Sequence, residues 1–175
     1  DETLDPFRAV GGVRHEGLLG EGLAVPALLT TDLAASLRGA DVAVVALPTF
    51  SHGPIARTLA LAGWPADRPI ILNPGHTGGV LEFSHAWRTT PGASILPPVA
   101  ELSTLTYVAR KLTPGSVTIT GHARTVRVAA LPGGEAAVGA ARALFPAASP
   151  VRDVIAAGLS NVNLVLHPPG AVLGA

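Results

Sequence analysis

The clearest pattern of hydrophobic positions along the chain is a continuous apolar run that ends at a proline. Residues 41–48, DVAVVALP, carry small and β-branched apolar side chains after the initial aspartate. Such runs are typical of parallel strands that are buried on both faces. Residues 51–62 then place apolar side chains at near-helical spacing, and a second apolar run follows at 69–73. This alternation predicts a strand, a helix and a strand, which together form a βαβ unit.

Shorter elements are predicted on both sides of this unit. Residues 11–31 predict a small hairpin that turns at 18–22, and Thr31 or Asp32 is expected to cap a helix over 33–37. The elements predicted downstream are helices over 80–88, 135–145 and 153–166, strands over 94–98, 104–110, 117–121 and 125–131, and a plain connection over 147–151. The fold class is therefore α/β.

Short polar loops follow the two strands of the βαβ unit. In open α/β sheets, ligands bind beyond the carboxyl ends of the strands, so these loops are where a ligand is expected. The candidate residues there are Pro48, Thr49, His52, Asn73, Pro74 and Gly75. Loop geometry alone is the alternative for the loop residues, and capping of the following helix is the alternative for His52.

Composition narrows the classes of function. The 12 Lys and Arg residues balance 12 Asp and Glu residues, which argues against partners such as nucleic acid or an anionic membrane. Cysteine is absent, and the six histidines form no metal-ligand spacing, so no metal site is predicted. No apolar run is long enough to cross a bilayer and no secretory signal is visible, so a cytoplasmic location is expected.

A glycine-rich phosphate-binding fingerprint, G-x-G-x-x-G, is missing from the chain. If 41–48 and 69–73 are later strands of a dinucleotide-binding sheet, its first βαβ unit would precede residue 1. The chain contains no methionine, even at position 1, which agrees with that hypothesis.

The most specific motif lies near the end of the chain, at residues 159–170, LSNVNLVLHPPG. It resembles the start of the helical domain in the opine dehydrogenases, the octopine and nopaline dehydrogenase family, where an N-x-N-x-x-x-H-P-P pattern carries the catalytic histidine. Further matches follow the family's order: VVALP with His52 four residues after its proline, NPG…G at 73–79, and AE…TL…Y…R at 100–110. The resemblance covers nearly all of residues 10–175.

The resemblance implies a reductive condensation. An amino acid and an α-keto acid form an imine, and NADH or NADPH reduces its carbon, so NAD or NADP is the implied cofactor and the two acids are the implied partners. It further implies that His167 is the catalytic acid and base, that Asn163 and Glu101 bind substrate, and that the two loops meet the nicotinamide half of the cofactor. The resemblance does not fix the oligomeric state, and a homodimer is one alternative.

Spacing supports the role of His167. If residues 159–167 are helical, Asn163 and His167 lie on one face, and Pro168 places the histidine at a helix end. The alternatives are a histidine that caps a helix C-terminus, a surface amide at Asn163 and an ordinary exposed glutamate at Glu101.

The chain also departs from the family. The phosphate-binding fingerprint and nearly all of the helical domain are absent, and Ala109 stands where a cysteine is frequent. We therefore expect a piece cut at both ends, incomplete and inactive as given. Residues 1–150 would be a partial Rossmann-type NAD(P)-binding domain, a parallel sheet with helices on both faces that lacks its first βαβ unit. Residues 151–175 would begin an all-α second domain.

Two rival functions remain at this point. A keto- or hydroxy-acid reductase of the ketopantoate reductase or glycerol-3-phosphate dehydrogenase type would share the two-domain plan. Those enzymes place a lysine at the proton-transfer step, and Lys111, the only lysine, lies far from the domain junction. A non-catalytic binding or assembly module is the other rival, and the missing fingerprint is its chief support.

Overall fold

The computed structural model describes residues 2–161 and 171–173. The chain divides into two compact units, one formed by Asp1–Gly39 with Tyr107–Ala123 and the other by Ala40–Thr106 with Arg124–Ala175. The boundary predicted near residue 150 does not coincide with this division. The assignment of residues 151–175 to a helical domain stays a prediction.

Short helices and strands make up both units. In chain order they are α1 (Asp5–Ala9), β1 (Val13–Gly17), β2 (Gly22–Ala24), α2 (Leu33–Leu37), β3 (Ala43–Val45), a 3-10 helix (Thr49–Ser51), α3 (His52–Leu61), β4 (Ile70–Leu72), α4 (Gly79–Arg88), β5 (Val99–Leu102), β6 (Tyr107–Arg110), β7 (Ser116–His122), β8 (Val126–Ala130), α5 (Glu135–Leu144), β9 (Ala148–Pro150) and α6 (Val154–Leu159). Among the described residues, no helix is both long and apolar enough to cross a membrane.

The first unit holds a four-stranded sheet in the order β2-β1-β7-β6. Strands β1 and β2 pair antiparallel, which confirms the predicted hairpin, while β1 and β7 pair in parallel. The predicted cap of α2 is also confirmed, because the Ala35 N–H donates to Asp32 Oδ1 at 3.1 Å.

The second unit holds a five-stranded sheet in the order β3-β4-β5-β8-β9. Strands β3, β4 and β5 run in parallel, with Val45 opposite Leu72 and Leu72 opposite Glu101. The βαβ unit of β3, α3 and β4 is therefore confirmed, as is the α/β fold class. The sheet as a whole is mixed and not parallel throughout, because β5 and β8 pair antiparallel. Helix α5 packs on β4, β5 and β8, and α4 packs on β5 and α3.

The core of the second unit is centred on β4. Ile70, Ile71 and Leu72 are each 0% exposed, so side chains that point to opposite faces of the sheet are all covered. In α4, Phe83 and Trp87 are also fully buried and stack with ring centroids 6.2 Å apart. Burial of each such side chain contributes about 1.5–3 kcal/mol to the free energy of unfolding.

The prediction that residues 41–48 are buried on both faces is wrong. The strand there is limited to Ala43–Val45, and Val44 is 42% exposed while Val45 is buried. In the described part of the chain, β3 is an edge strand whose only neighbour in the sheet is β4.

The strand predicted over 94–98 is also wrong, because β5 begins at Val99. Pro97 and Pro98 have no N–H to donate to a ladder, so regular pairing begins after them. The Pro98 carbonyl still accepts from the Ile70 N–H at 2.8 Å, which aligns β5 with β4.

Two differences concern the end of the chain. The connection predicted over 147–151 contains β9, which pairs in parallel with β8. The helix predicted over 153–166 starts as expected, with Asp153 Oδ1 accepting from the Ala156 N–H at 2.8 Å. It ends at Leu159, with Ser160 as its C-cap, so the expected helix is broken before Asn161.

Candidate functional site

The carboxyl ends of β3, β4 and β5 meet at one edge of the second sheet. Pro48 is exposed there and Thr49 begins the 3-10 helix that leads into α3. Asn73, Pro74 and Gly75 follow β4 and are all buried. The Asn73 N–H donates to the Val45 carbonyl at 2.9 Å, so the two loops start side by side.

His52 lies between these two loops. Its side chain is 0% exposed, and the backbone carbonyls of Leu47 and Pro74 both lie near enough to favour its charged form. Burial and the neighbouring His76 outweigh them and lower the pKa of His52. Neither ring nitrogen makes a well-formed hydrogen bond within the described residues, so the helix-capping alternative finds no support.

Glu101 occupies the carboxyl end of β5 and is also 0% exposed. Its Oε2 accepts from the Val80 N–H at 2.8 Å, whereas Oε1 is buried without a partner among the described residues. Burial raises the pKa of Glu101 to about 7, opposed in part by the Val80 N–H. The alternative of an ordinary exposed glutamate is wrong.

Asn73 brings a buried amide to the same edge. Its Nδ2 donates to Thr106 Oγ1 at 3.0 Å, and its Oδ1 is buried with no partner in the part of the chain that the structure describes. A buried acceptor without a partner is uncommon and asks for an explanation.

Two glycines allow the loop Asn73–Gly79 to fit between His52 and Glu101. A Cβ at Gly75 would collide with Glu101 Cβ, and a Cβ at Gly79 would lie 2.7 Å from His52 Nδ1 and 3.6 Å from Glu101 Oε2. The loop therefore separates a buried imidazole from a buried carboxyl group. The sequence predicted a turn here but not this close packing.

His76 was not among the predicted site residues, and the structure places it at this edge. It has a positive φ of 54°, and its Nδ1 lies 3.2 Å from Asn161 Nδ2. Thr77 Oγ1 donates to the Gly158 carbonyl at 3.1 Å, so the end of α6 packs on the loop. Asn161 opens the N-x-N pattern and could have been suspected from it, but nothing in the sequence marks His76.

The structure thus brings together His52, Asn73, Pro74, Gly75 and Glu101, with Pro48 and Thr49 on the exposed side of the first loop. Asn163 and His167 lie outside the described residues. Within the residues that are described, no group of three or more His, Asp or Glu side chains could hold a metal ion.

The arrangement has the chemistry of a binding edge for a polar, planar group. It combines an unpaired buried acceptor at Asn73, an imidazole whose lowered pKa favours its neutral form, and Phe50, which is 83% exposed beside the first loop. An open α/β sheet with parallel strands that gather such groups at their carboxyl edge defines a Rossmann-like protein.

Comparison with known proteins agrees with that class. No family model matches the chain. The chain is 33% identical over 167 residues to the opine dehydrogenase of Arthrobacter sp. (strain 1C), and the match covers 94% of this chain and 46% of that enzyme. The chain is thus a relative of the opine dehydrogenases, which confirms the predicted resemblance, and it spans less than half the length of that enzyme.

Solved structures give the same fold. Octopine dehydrogenase with NADH and L-arginine superimposes with a TM-score of 0.77 at 18% identity, over 100% of this chain and 46% of that one. Apo yersinopine dehydrogenase has a TM-score of 0.78 at 16% identity, over 98% of this chain and 43% of that one. A ketopantoate reductase from Ralstonia eutropha JMP134 has a TM-score of 0.58 at 14% identity, over 88% of this chain and 47% of that one.

Proposed function

We propose that the protein acts in the NAD(P)H-dependent reductive condensation of an α-keto acid with the amino group of an amino acid. The observation that carries this proposal is the edge where His52, Asn73 and Glu101 gather, in a chain that is 33% identical to an opine dehydrogenase. The complete activity belongs to a protein longer than the matched part, because 54% of that relative's length lies outside the match, which covers 46%.

NAD or NADP is the proposed cofactor. Solved relatives of the same fold hold NADH or NADP+. Unpaired buried polar atoms at the edge, Asn73 Oδ1 among them, fit the carboxamide and ribose of the nicotinamide half. The bound, reduced cofactor would supply the hydride for the imine carbon.

The two loops would position that half of the cofactor. Pro48, Thr49, Pro74 and Gly75 offer small side chains and backbone groups, which permit a close approach. The lowered pKa of His52 favours its neutral ring at neutral pH, so it would offer one donor and one acceptor without adding charge. His52 is therefore proposed to orient the ligand and not to supply the proton.

His167 is proposed to move the proton, and Asn163 to bind a substrate oxygen. A histidine suits this task because its ordinary pKa lies near neutral pH. The described chain reaches Asn161 in contact with His76 at this edge. His167 is six residues further along, and six residues span at most about 20 Å, so the distance is compatible with this role.

The test is a turnover assay on the complete protein that contains this chain. We expect loss of NADH or NADPH absorbance only when an α-keto acid such as pyruvate and an amino acid are both present. Consumption with the keto acid alone would point to a ketopantoate reductase type of activity, and no consumption with any pair would favour a non-catalytic module.

A matched pair of histidine variants tests the catalytic assignment. His167→Ala should lower turnover about 100- to 10,000-fold, the usual effect of one proton-transfer group, while NAD(P)H affinity changes little. His85→Ala is the control, since His85 is an exposed residue of α4. Equal turnover in both variants would remove His167 from the mechanism.

A further inference from the structure

Helix α4 lacks a capping side chain of its own. Gly78 occupies its N-cap position with a φ of 81° and makes no side-chain capping bond. The first N–H groups of a helix have no partner within the helix and need acceptors from elsewhere. Glu101 Oε2 on β5 supplies one of them, by accepting from the Val80 N–H at 2.8 Å.

Supplying this acceptor from a buried carboxyl group costs free energy of folding. Glu101 is 0% exposed, Oε1 has no partner, and no Lys, Arg or His within the described residues forms an ion pair with it. Burying a carboxyl group without a cation is unfavourable. Burial of the Glu101 carboxyl group therefore lowers the stability of the folded chain, while its contact with the Val80 N–H fixes the geometry at the start of α4.

The geometry concerned is that of the loop Asn73–Gly79. The Gly75 N–H donates to the Leu102 carbonyl at 2.8 Å, next to Glu101 in β5. Gly75 packs against Glu101 Cβ. A Cβ added at Gly79 would lie 3.6 Å from Glu101 Oε2 and 2.7 Å from His52 Nδ1, so Gly79 is close to both side chains. Both ends of the loop are thus held against Glu101 and its neighbour.

We propose that Glu101 is a positioning residue: its buried carboxyl group holds the amino end of α4 and so fixes the loop Asn73–Gly79 where that loop would meet the nicotinamide. This inference rests on the proposed function. It replaces direct contact between Glu101 and substrate, which the resemblance implied, because Oε2 already accepts from the Val80 N–H.

Three variants of the complete protein test the proposal. Glu101→Ala removes the acceptor, Glu101→Gln keeps an oxygen for the Val80 N–H, and Glu135→Gln is the control. Glu135 also accepts from a backbone N–H near a helix start, that of Gly133 at 3.4 Å, but it is exposed on α5. The measurements are the Kd for NAD(P)H, the KM of each substrate, and hydrogen exchange of the Val80 amide.

The proposal predicts a graded result. Glu101→Ala should speed exchange at Val80 and weaken NAD(P)H binding on the order of 10- to 100-fold, the range expected for losing a hydrogen bond to a charged or buried partner. Glu101→Gln should stay within about threefold of the wild type in both measurements, because a conservative acceptor suffices. Glu135→Gln should change neither.

Other results would overturn it. Glu101→Gln as damaging as Glu101→Ala, or a raised amino-acid KM with an unchanged Kd for NAD(P)H, would place Glu101 in contact with substrate. If Glu101→Ala does not fold, Glu101→Gln still tests the proposal, which predicts slow Val80 exchange and near-normal NAD(P)H affinity in that variant. If the wild-type protein does not bind NAD(P)H, both proposals are wrong. If the wild type turns over normally and Glu101→Ala has the same Kd for NAD(P)H and the same Val80 exchange, only the positioning role is wrong.

Discussion

The two units of the chain contain similar elements but differ in what they bury. In the second unit, Ile71, Leu72 and Trp87 are all 0% exposed. In the described residues of the first unit, no hydrophobic side chain is buried, and Leu18 and Leu112 are 64% and 71% exposed. Each unit has a sheet of four or five strands, so strand number does not explain the difference.

The helices of each unit explain this difference in burial. Helices α3, α4 and α5 have ten residues each, and all contribute buried side chains to the second unit. Helices α1 and α2 have five residues each and bury none. Because most folding energy comes from apolar burial, the second unit must hold most of the stability of the described chain. The candidate site therefore lies on the better packed of the two sheets.

The largest effect that would test this contrast comes from core truncation. Trp87→Ala should lower the free energy of unfolding by about 3–5 kcal/mol, since it empties a fully buried site. Leu112→Ala, in the first unit, should change it by about 0.5 kcal/mol or less because the side chain is exposed. Chemical denaturation measures both, and similar losses would contradict the contrast.

A smaller effect is expected from the pH dependence of Glu101. Its pKa is about 7 in the folded chain against an ordinary 4.5, so between these values the folded state holds a proton that the unfolded state has lost. Stability should therefore fall as pH rises through this window and level off above it. The loss is at most about 3–4 kcal/mol, at about 1.4 kcal/mol for each pKa unit between 4.5 and about 7.

The variant Glu101→Gln isolates the contribution of the Glu101 carboxyl group to the pH dependence of stability. His52 and His76 have lowered pKa values, so they act in the opposite direction and cost stability as pH falls below 6.5. The difference in unfolding free energy between wild type and Glu101→Gln cancels their effect. It should shift in favour of the variant between about pH 4.5 and about pH 7, and parallel stability curves would show that Glu101 is not buried as described.

The smallest predicted effect compares the two helix caps. Asp153 caps α6, which buries Val154 and Ala157, whereas Asp32 caps α2, which buries nothing. Asp153→Ala should cost about 1 kcal/mol, the typical value for an N-cap. Asp32→Ala should leave the main unfolding transition unchanged, because α2 adds little to the core. Equal shifts in thermal denaturation would mean that the units unfold as one.

Local patterns along the sequence predicted much of this fold. The apolar pattern located α3, β4 and α4, and the predicted cap at Thr31 or Asp32 located the start of α2. Burial of β3 and the pairing of β9 depend on which strands lie beside them, and that information is not local. The two prolines before Val99 did carry a signal, which the strand prediction over 94–98 overlooked.

The site was predictable to a similar extent. Ligands bind at the carboxyl ends of parallel strands, and this rule together with the strand pattern predicted that the 48–52 and 73–75 loops share one edge. It could not show that Glu101 points inward to the Val80 N–H, or that His76 meets Asn161. Those contacts join residues 21 and 85 positions apart, which only the tertiary fold brings together.

In the proposed function, the carboxyl edge of the second sheet receives the nicotinamide half of NAD or NADP. The most direct test is hydrogen exchange of the complete protein with and without NADH or NADPH. We predict slower exchange at residues 48–52 and 73–80 on binding, with residues 107–123 of the first unit unchanged. Protection at residues 107–123 instead, or no protection at the two loops while the cofactor is bound, would show that this edge does not bind the nicotinamide.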